Sequence, residues 1–178
     1  LYFDPNNEYS VPYNVGMVGL VYNTKMVEGT PDSWSIMWDE KYKGQVLMFN
    51  NSRDAFGIAQ FLLGIDVNTT SEQDWKKAYQ KLKEQKPVVQ SYVMDDVFNK
   101  MEGGEAAIAA YYAGDCIGMA ENNPDLAFVY PKEGTNIFVD SRRQPWKTAR
   151  WRSCRRRCRR TACRTRRPWR RFRRRNPR

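Results

Sequence analysis

Apolar residues recur with two different periods between residues 17 and 140, and these two patterns alternate along the chain. Short apolar runs predict buried strands, whereas apolar positions that return every three or four residues predict helices. The predicted strands are 17–22, 46–49, 88–92, 106–112, 127–130 and 137–140. The predicted helices between them are 55–63, 71–83, 95–101 and 115–121, with a further short helix after Ser33. Strands alternating with helices indicate an α/β domain with a largely parallel sheet.

The clearest helix is predicted over residues 71–83. Thr70 would be its N-cap, with Gln73 at the third helical position, which is the pattern of a capping box. Its apolar face is formed by four residues at helical spacing, namely Trp75, Ala78, Tyr79 and Leu82. Farther upstream, Asp54 is predicted to open the helix over 55–63, and Gly64 to end it.

Charge divides the chain near Ser141. Residues 142–178 contain 18 Arg and one Lys and no acidic residue. Since the whole chain has 30 basic and 20 acidic residues, residues 1–141 hold 11 basic residues against 20 acidic ones, a net charge of −9. The Arg-rich tail also lacks Leu, Ile, Val and Met, so it cannot build a hydrophobic core and is expected to be disordered.

Two interpretations of the tail stay open. An arginine-rich arm neutralises nucleic-acid phosphates, and the aromatic residues Trp146, Trp151, Trp169 and Phe172 have faces on which bases stack. Alternatively, residues 142–178 are an out-of-frame translation of GC-rich DNA, which yields Arg, Pro, Ala, Thr, Trp and Cys. We favour the second interpretation, because back-translation of 144–152 read one nucleotide earlier gives a pattern typical of an amphipathic helix.

Several kinds of catalytic and metal chemistry do not fit this sequence. The chain has no His, which excludes a Ser-His-Asp triad, a Cys-His pair and His-based zinc sites within it. Cys154, Cys158 and Cys163 do not have zinc-site spacing, and Cys116 lies in an apolar region typical of a buried thiol. No phosphate-binding glycine pattern occurs either. We therefore expect no enzymatic activity, no metal and no cofactor.

Aromatic residues lie near acidic residues at predicted strand ends. Ligands of α/β folds bind where such ends gather, and aromatic faces with carboxylates suit an organic cation. The alternative is that the aromatics are core residues and the acids cap helices, and the pattern alone favours this at each single position. The residues concerned are Tyr13, Asn51, Asp54, Tyr111, Tyr112, Asp115, Phe138 and Asp140.

A resemblance to a known family favours the interpretation of these residues as a ligand site. The stretches that carry it are YSVPY (9–13), GLVYN (19–23), SWSIMW (33–38), KYKG (41–44), RDAFG (53–57), NTT (68–70), MEGGE (101–105), NPDLA (123–127), PKEGTN (131–136) and VDS (139–141). Together they resemble the spermidine/putrescine-binding proteins of bacterial ABC importers, in the same order. The resemblance covers 1–141 and ends where the composition changes.

The resemblance implies a periplasmic-binding-protein-like, two-lobed receptor that closes on its ligand and catalyses nothing. Residues 1–21 would be the end of a first-lobe segment and its crossover, 22–138 the second lobe, and 139–141 the return to an incomplete first lobe. It implies a polyamine ligand, ABC permease subunits as partners, a monomeric state and an extracytoplasmic location, periplasmic or cell-surface. The signal segment would be missing from this fragment, and we expect the 178 residues alone to bind polyamine weakly or not at all.

The resemblance also implies roles for individual residues. Asp54 and Asp140 match carboxylates that hold polyamine nitrogens, Tyr112 and Phe138 match aromatic walls, and Tyr13 matches an aromatic on the crossover side. Asn51 stands where some members have a second acid, which weakens the charge pattern. This departure, with Asn14 and Val15 in place of an aromatic pair, leaves open a receptor for another small solute. The rival class is a nucleic-acid-binding protein that acts through 142–178.

Overall fold

The structure is a computed structural model that describes residues 4–143. These residues fall into two units, of which Pro12–Ser141 is one, and residues 4–11 and 142–143 belong to the other. The Arg-rich tail beyond residue 143 lies outside the described residues. The two interpretations of that tail therefore stay predictions.

The described chain contains six strands, four α-helices and two short 3₁₀ helices. The strands are β1 (Ser10–Asn23), β2 (Val46–Phe49), β3 (Val89–Val93), β4 (Ile108–Tyr112), β5 (Leu126–Val129) and β6 (Ile137–Arg143). The α-helices are α1 (Ser52–Leu62), α2 (Glu72–Gln85), α3 (Asp96–Glu102) and α4 (Ala113–Asn122), and the 3₁₀ helices are Trp34–Trp38 and Glu40–Tyr42.

The strands form one mixed sheet in the order β3-β2-β4-β1-β5, with β6 paired to β1. β2 runs parallel to both β3 and β4, whereas β1 runs antiparallel to both β4 and β5. The predicted α/β fold is thus confirmed, but the sheet is mixed rather than largely parallel, because only the pairs that β2 makes with β3 and β4 are parallel among these four. Because β2, β3 and β4 share one direction, their carboxyl ends meet at the same edge, where ligands of such sheets bind.

The core lies against the second half of β1 and the central parallel strands. Leu20, Trp34, Ile108 and Met119 are completely buried. The Trp34 indole N–H donates a hydrogen bond of 2.8 Å to the Gly134 carbonyl, so even this large core residue has its polar atom satisfied. The Cys116 thiol is also buried, as predicted from its apolar surroundings.

Helix α2 corrects two predictions. Its N-cap is Ser71 rather than Thr70, because the Ser71 hydroxyl accepts a hydrogen bond from the Asp74 N–H. The predicted apolar face is only partly covered: Ala78 is buried, but Trp75 and Tyr79 are 38% and 55% exposed. Helical spacing identifies the side chains that share a face, whereas the depth of burial depends on what the rest of the chain places against it.

None of the helices in the part of the chain that the structure describes combines the length and the apolar character needed to cross a membrane.

Candidate ligand-binding site

The turn between β2 and α1 presents a buried carboxylate. Asn51 is the N-cap of α1, since its side-chain oxygen accepts a hydrogen bond of 3.0 Å from the Arg53 N–H. The prediction that Asp54 opens this helix is therefore wrong by one turn. Asp54 lies in the first turn instead, with only 6% of its surface exposed. The helix begins where the strand ends, which fixes this carboxylate at the sheet edge.

Three neutral donors converge on the Asp54 carboxylate. The amide of Asn51 donates to Oδ2 at 2.7 Å, and the hydroxyl of Tyr112 donates to the same oxygen at 2.8 Å. The amide of Asn136 donates to Oδ1 at 3.2 Å. A buried charge is costly unless it is hydrogen-bonded, so these donors from three separate segments stabilise the carboxylate at this position.

The Tyr112 hydroxyl is a donor at neutral pH. Burial, followed by the hydrogen bond to Asp54, raises the pKa of Tyr112 to about 12, although the contact with Asn51 acts in the opposite direction. Because the phenol keeps its proton over the physiological range, the direction of its hydrogen bond to the carboxylate is fixed.

Aromatic rings cluster around Tyr112, the residue whose hydroxyl bonds to this carboxylate. The Tyr112 ring packs edge-on against Phe138, with 5.4 Å between ring centroids, and lies 5.2 Å from both Phe49 and Tyr111. Phe138 lies directly over Gly16, where an added Cβ would come within 2.0 Å of the ring. A side chain at position 16 would occupy the space of the ring, so the aromatic wall depends on this glycine.

Other acids lie near the same edge. The N-cap residue of α3 is Asp95, and Asp115 lies in the first turn of α4. Burial chiefly, and then the negative charges of Asp115 and Asp95, raise the pKa of Tyr111. The carboxylates are therefore near enough to influence this buried ring, and the edge as a whole favours a positively charged ligand.

The structure brings four of the six predicted site residues together. Asn51, Asp54, Tyr112 and Phe138 are joined by the hydrogen bonds and the ring contact described above. Tyr13 is 69% exposed on β1, and Asp140 is exposed on β6. Alternate residues of a strand face the same side, so Asp140 shares a face with Phe138.

The sequence interpretation missed Asn136 and the glycine that makes room for it. An added Cβ at Gly57 would lie 2.5 Å from the Asn136 amide nitrogen. The loop that carries Asn136 is held against β1, since the Val18 N–H donates to the Asn136 carbonyl at 3.2 Å. A glycine inside a helical pattern indicates such a close approach, and Gly57 is a glycine of this kind.

This arrangement suits an organic cation. A carboxylate attracts an ammonium group, and aromatic faces contact both its charge and its methylene groups. Among residues 4–143, no group of three or more His, Cys, Asp or Glu side chains is placed to hold a metal ion.

Comparison with known proteins also indicates a solute-binding protein. The model of the bacterial extracellular solute-binding protein family matches residues 1–143. This chain belongs to that family.

Two individual relatives of known function are similar to this chain in sequence. Over 140 residues the chain is 33% identical to the spermidine/putrescine-binding periplasmic protein of Salmonella typhimurium and 32% identical to that of Escherichia coli. Each alignment covers 78% of this chain but 40% of the relative. The chain thus spans well under half the length of the relatives that it matches.

A solved structure shows the same fold. The spermidine/putrescine ABC transporter substrate-binding protein of Streptococcus pneumoniae, determined with calcium and HEPES, matches with a TM-score of 0.73 and 32% identity. The match covers 78% of this chain and 43% of that one. The described residues therefore have the fold of a solute-binding protein over part of its length.

Proposed function

We propose that this chain is part of an extracytoplasmic receptor that binds a polyamine and delivers it to an ABC importer, without catalysing a reaction. The observation that carries the proposal is the buried Asp54 carboxylate bonded to Tyr112, whose ring packs against Phe138. Membership of the solute-binding protein family and similarity to spermidine/putrescine-binding proteins support it.

The ligand is an extended polycation in this proposal. Asp54 fixes one ammonium group, while Tyr112 and Phe138 cover the adjoining methylene groups. Asp140, exposed on the same face as Phe138, is available for a second nitrogen. Tyr13 on β1 adds an aromatic surface from the crossover side.

Residues 22–138 form the second lobe in this proposal, and β1 and β6 continue toward a first lobe. β6 pairs with β1, which supports two neighbouring crossover strands. Ligand contacts with both lobes would stabilise a closed form, and the permease subunits would recognise that form. The receptor is a monomer in this scheme.

Replacing Asp54 tests the proposal. We expect Asp54→Asn to weaken putrescine binding about 30-fold or more, because a desolvated ammonium loses its charged partner. The fold should be retained, since the Asn136 amide can rotate and present its oxygen to the new amide. Two-dimensional NMR titration of the 178-residue chain is the measurement, because it detects binding into the millimolar range.

Asp66→Asn is the matched control. Asp66 is an exposed residue in the loop after α1, so the same loss of charge there should leave putrescine binding unchanged. Equal affinities of the Asp54→Asn variant and the unsubstituted chain would contradict the assignment of Asp54.

A further inference from the structure

Asp54 has little hydrogen-bonding capacity left for a ligand. A carboxylate offers about four lone pairs, two on each oxygen. Oδ2 accepts from both Asn51 and Tyr112, so its two lone pairs are used, while Oδ1 accepts from Asn136. Within residues 4–143 these three contacts leave one lone pair, and it is on Oδ1.

The two common organic cations differ in what they need from a carboxylate. An alkylammonium group is a compact charge with three independent N–H donors, so one N–H bond to one carboxylate oxygen is enough to hold it. A guanidinium group makes its strongest contact through two parallel N–H bonds, one to each carboxylate oxygen. Asp54 can satisfy the first geometry with Oδ1 but not the second, because Oδ2 is already saturated.

We propose that Asn51 and Tyr112, by saturating Oδ2, make Asp54 a single-point acceptor, so that the site selects an ammonium over a guanidinium group. This inference rests on the proposed function and adds ligand selectivity to it. Tyr112 is the deciding residue, since its hydroxyl takes the lone pair of Oδ2 that a guanidinium fork would need, and its proton stays in place at neutral pH.

The test compares putrescine with 1,4-diguanidinobutane, which has the same four-carbon spacer and a guanidinium group at both ends. By NMR titration of the 178-residue chain, we expect putrescine to bind about tenfold more tightly. Tyr112→Phe keeps the ring but frees one lone pair on Oδ2, so this variant should lose most of that preference.

Asn136→Ala is the matched control. It removes one donor from the same carboxylate, but it frees only Oδ1, so a guanidinium fork still finds no acceptor on Oδ2. The preference for putrescine should therefore persist in this variant. Tyr79→Phe, on the exposed surface of α2, makes the same chemical change as Tyr112→Phe away from the site and should change nothing.

Each outcome decides the question. Equal binding of the two ligands by the unsubstituted chain overturns the inference without any variant and leaves the proposed function standing. A preference for putrescine that Tyr112→Phe and Asn136→Ala reduce equally also overturns the inference. A folded chain, judged by its dispersed NMR spectrum, that binds neither ligand at millimolar concentration overturns the inference and the assignment of Asp54 as an ammonium acceptor within these residues.

Discussion

Gly57→Ala is expected to destabilise the protein, although alanine is the better helix former. Gly57 is inside α1, where the substitution alone would stabilise the helix by about 1 kcal/mol. The new Cβ, however, would lie 2.5 Å from the Asn136 amide nitrogen, which must move away and release Asp54. Loss of a hydrogen bond to a buried charged group costs about 1.5–3 kcal/mol. The net loss in the free energy of unfolding is therefore about 0.5–2 kcal/mol.

The sign of this effect should reverse when Asn136 is absent. In an Asn136→Ala background there is no amide to displace, so Gly57→Ala should stabilise the protein by about 1 kcal/mol through helix propensity alone. Urea denaturation of the four proteins of this double-mutant cycle measures both values. The reasoning is refuted if Gly57→Ala stabilises the original protein, or if it is equally destabilising in both backgrounds.

Three further predictions concern the aromatic wall and the buried ionisable groups. Gly16→Ala should displace Phe138, lower the free energy of unfolding by about 1–3 kcal/mol in urea denaturation and weaken putrescine binding, whereas an unchanged ring environment in NMR spectra would contradict this. The pKa of Tyr112 in the folded protein, about 12, lies above its ordinary value of 10.0, so the contribution of Tyr112 to stability is complete below pH 10 and is lost as the pH rises toward 12. Urea midpoints measured between pH 9 and 12 should therefore fall less steeply for Tyr112→Phe, and identical slopes would contradict the assignment. Burial raises the pKa of Cys116 to about 12, so iodoacetamide at pH 8 should alkylate this thiol much more slowly in the folded protein than in the urea-unfolded chain. Mass spectrometry of the Cys116 peptide measures both rates, and equal rates would show that the thiol is accessible.

Local patterns predicted much of the fold. The predicted strand over 46–49 coincides with β2, and the predicted helix over 95–101 differs from α3 by one residue at each end, because short apolar runs and helical spacing are signals contained within a few residues. The predicted strand over 17–22 covers only the second part of β1, which begins at Ser10. Its first half is largely exposed, so no apolar run marks it.

Features that depend on distant parts of the chain were harder to predict. The antiparallel direction of β1 follows from its pairing with β4 and β5, which strand alternation cannot encode. Asn136 contacts a carboxylate 82 positions away, and nothing in its neighbourhood marks it as a ligand-site residue. Asp54, by contrast, was identified through the family resemblance, and its burial within a hydrogen-bond network became visible only in the structure.

The place of β1 in the sheet also bears on how the protein is made. Among the described strands β1 is synthesised first, whereas its pairing partners β4 and β5 emerge much later. Thr24, just after β1, bonds to Asp125 across 101 positions. The β2–β3 pair with α1 and α2 consists of nearer neighbours and is free to form earlier. Until β5 is complete, the apolar second half of β1 lacks its partners and can pair with a strand of another molecule. The nascent chain is therefore prone to aggregation during this interval.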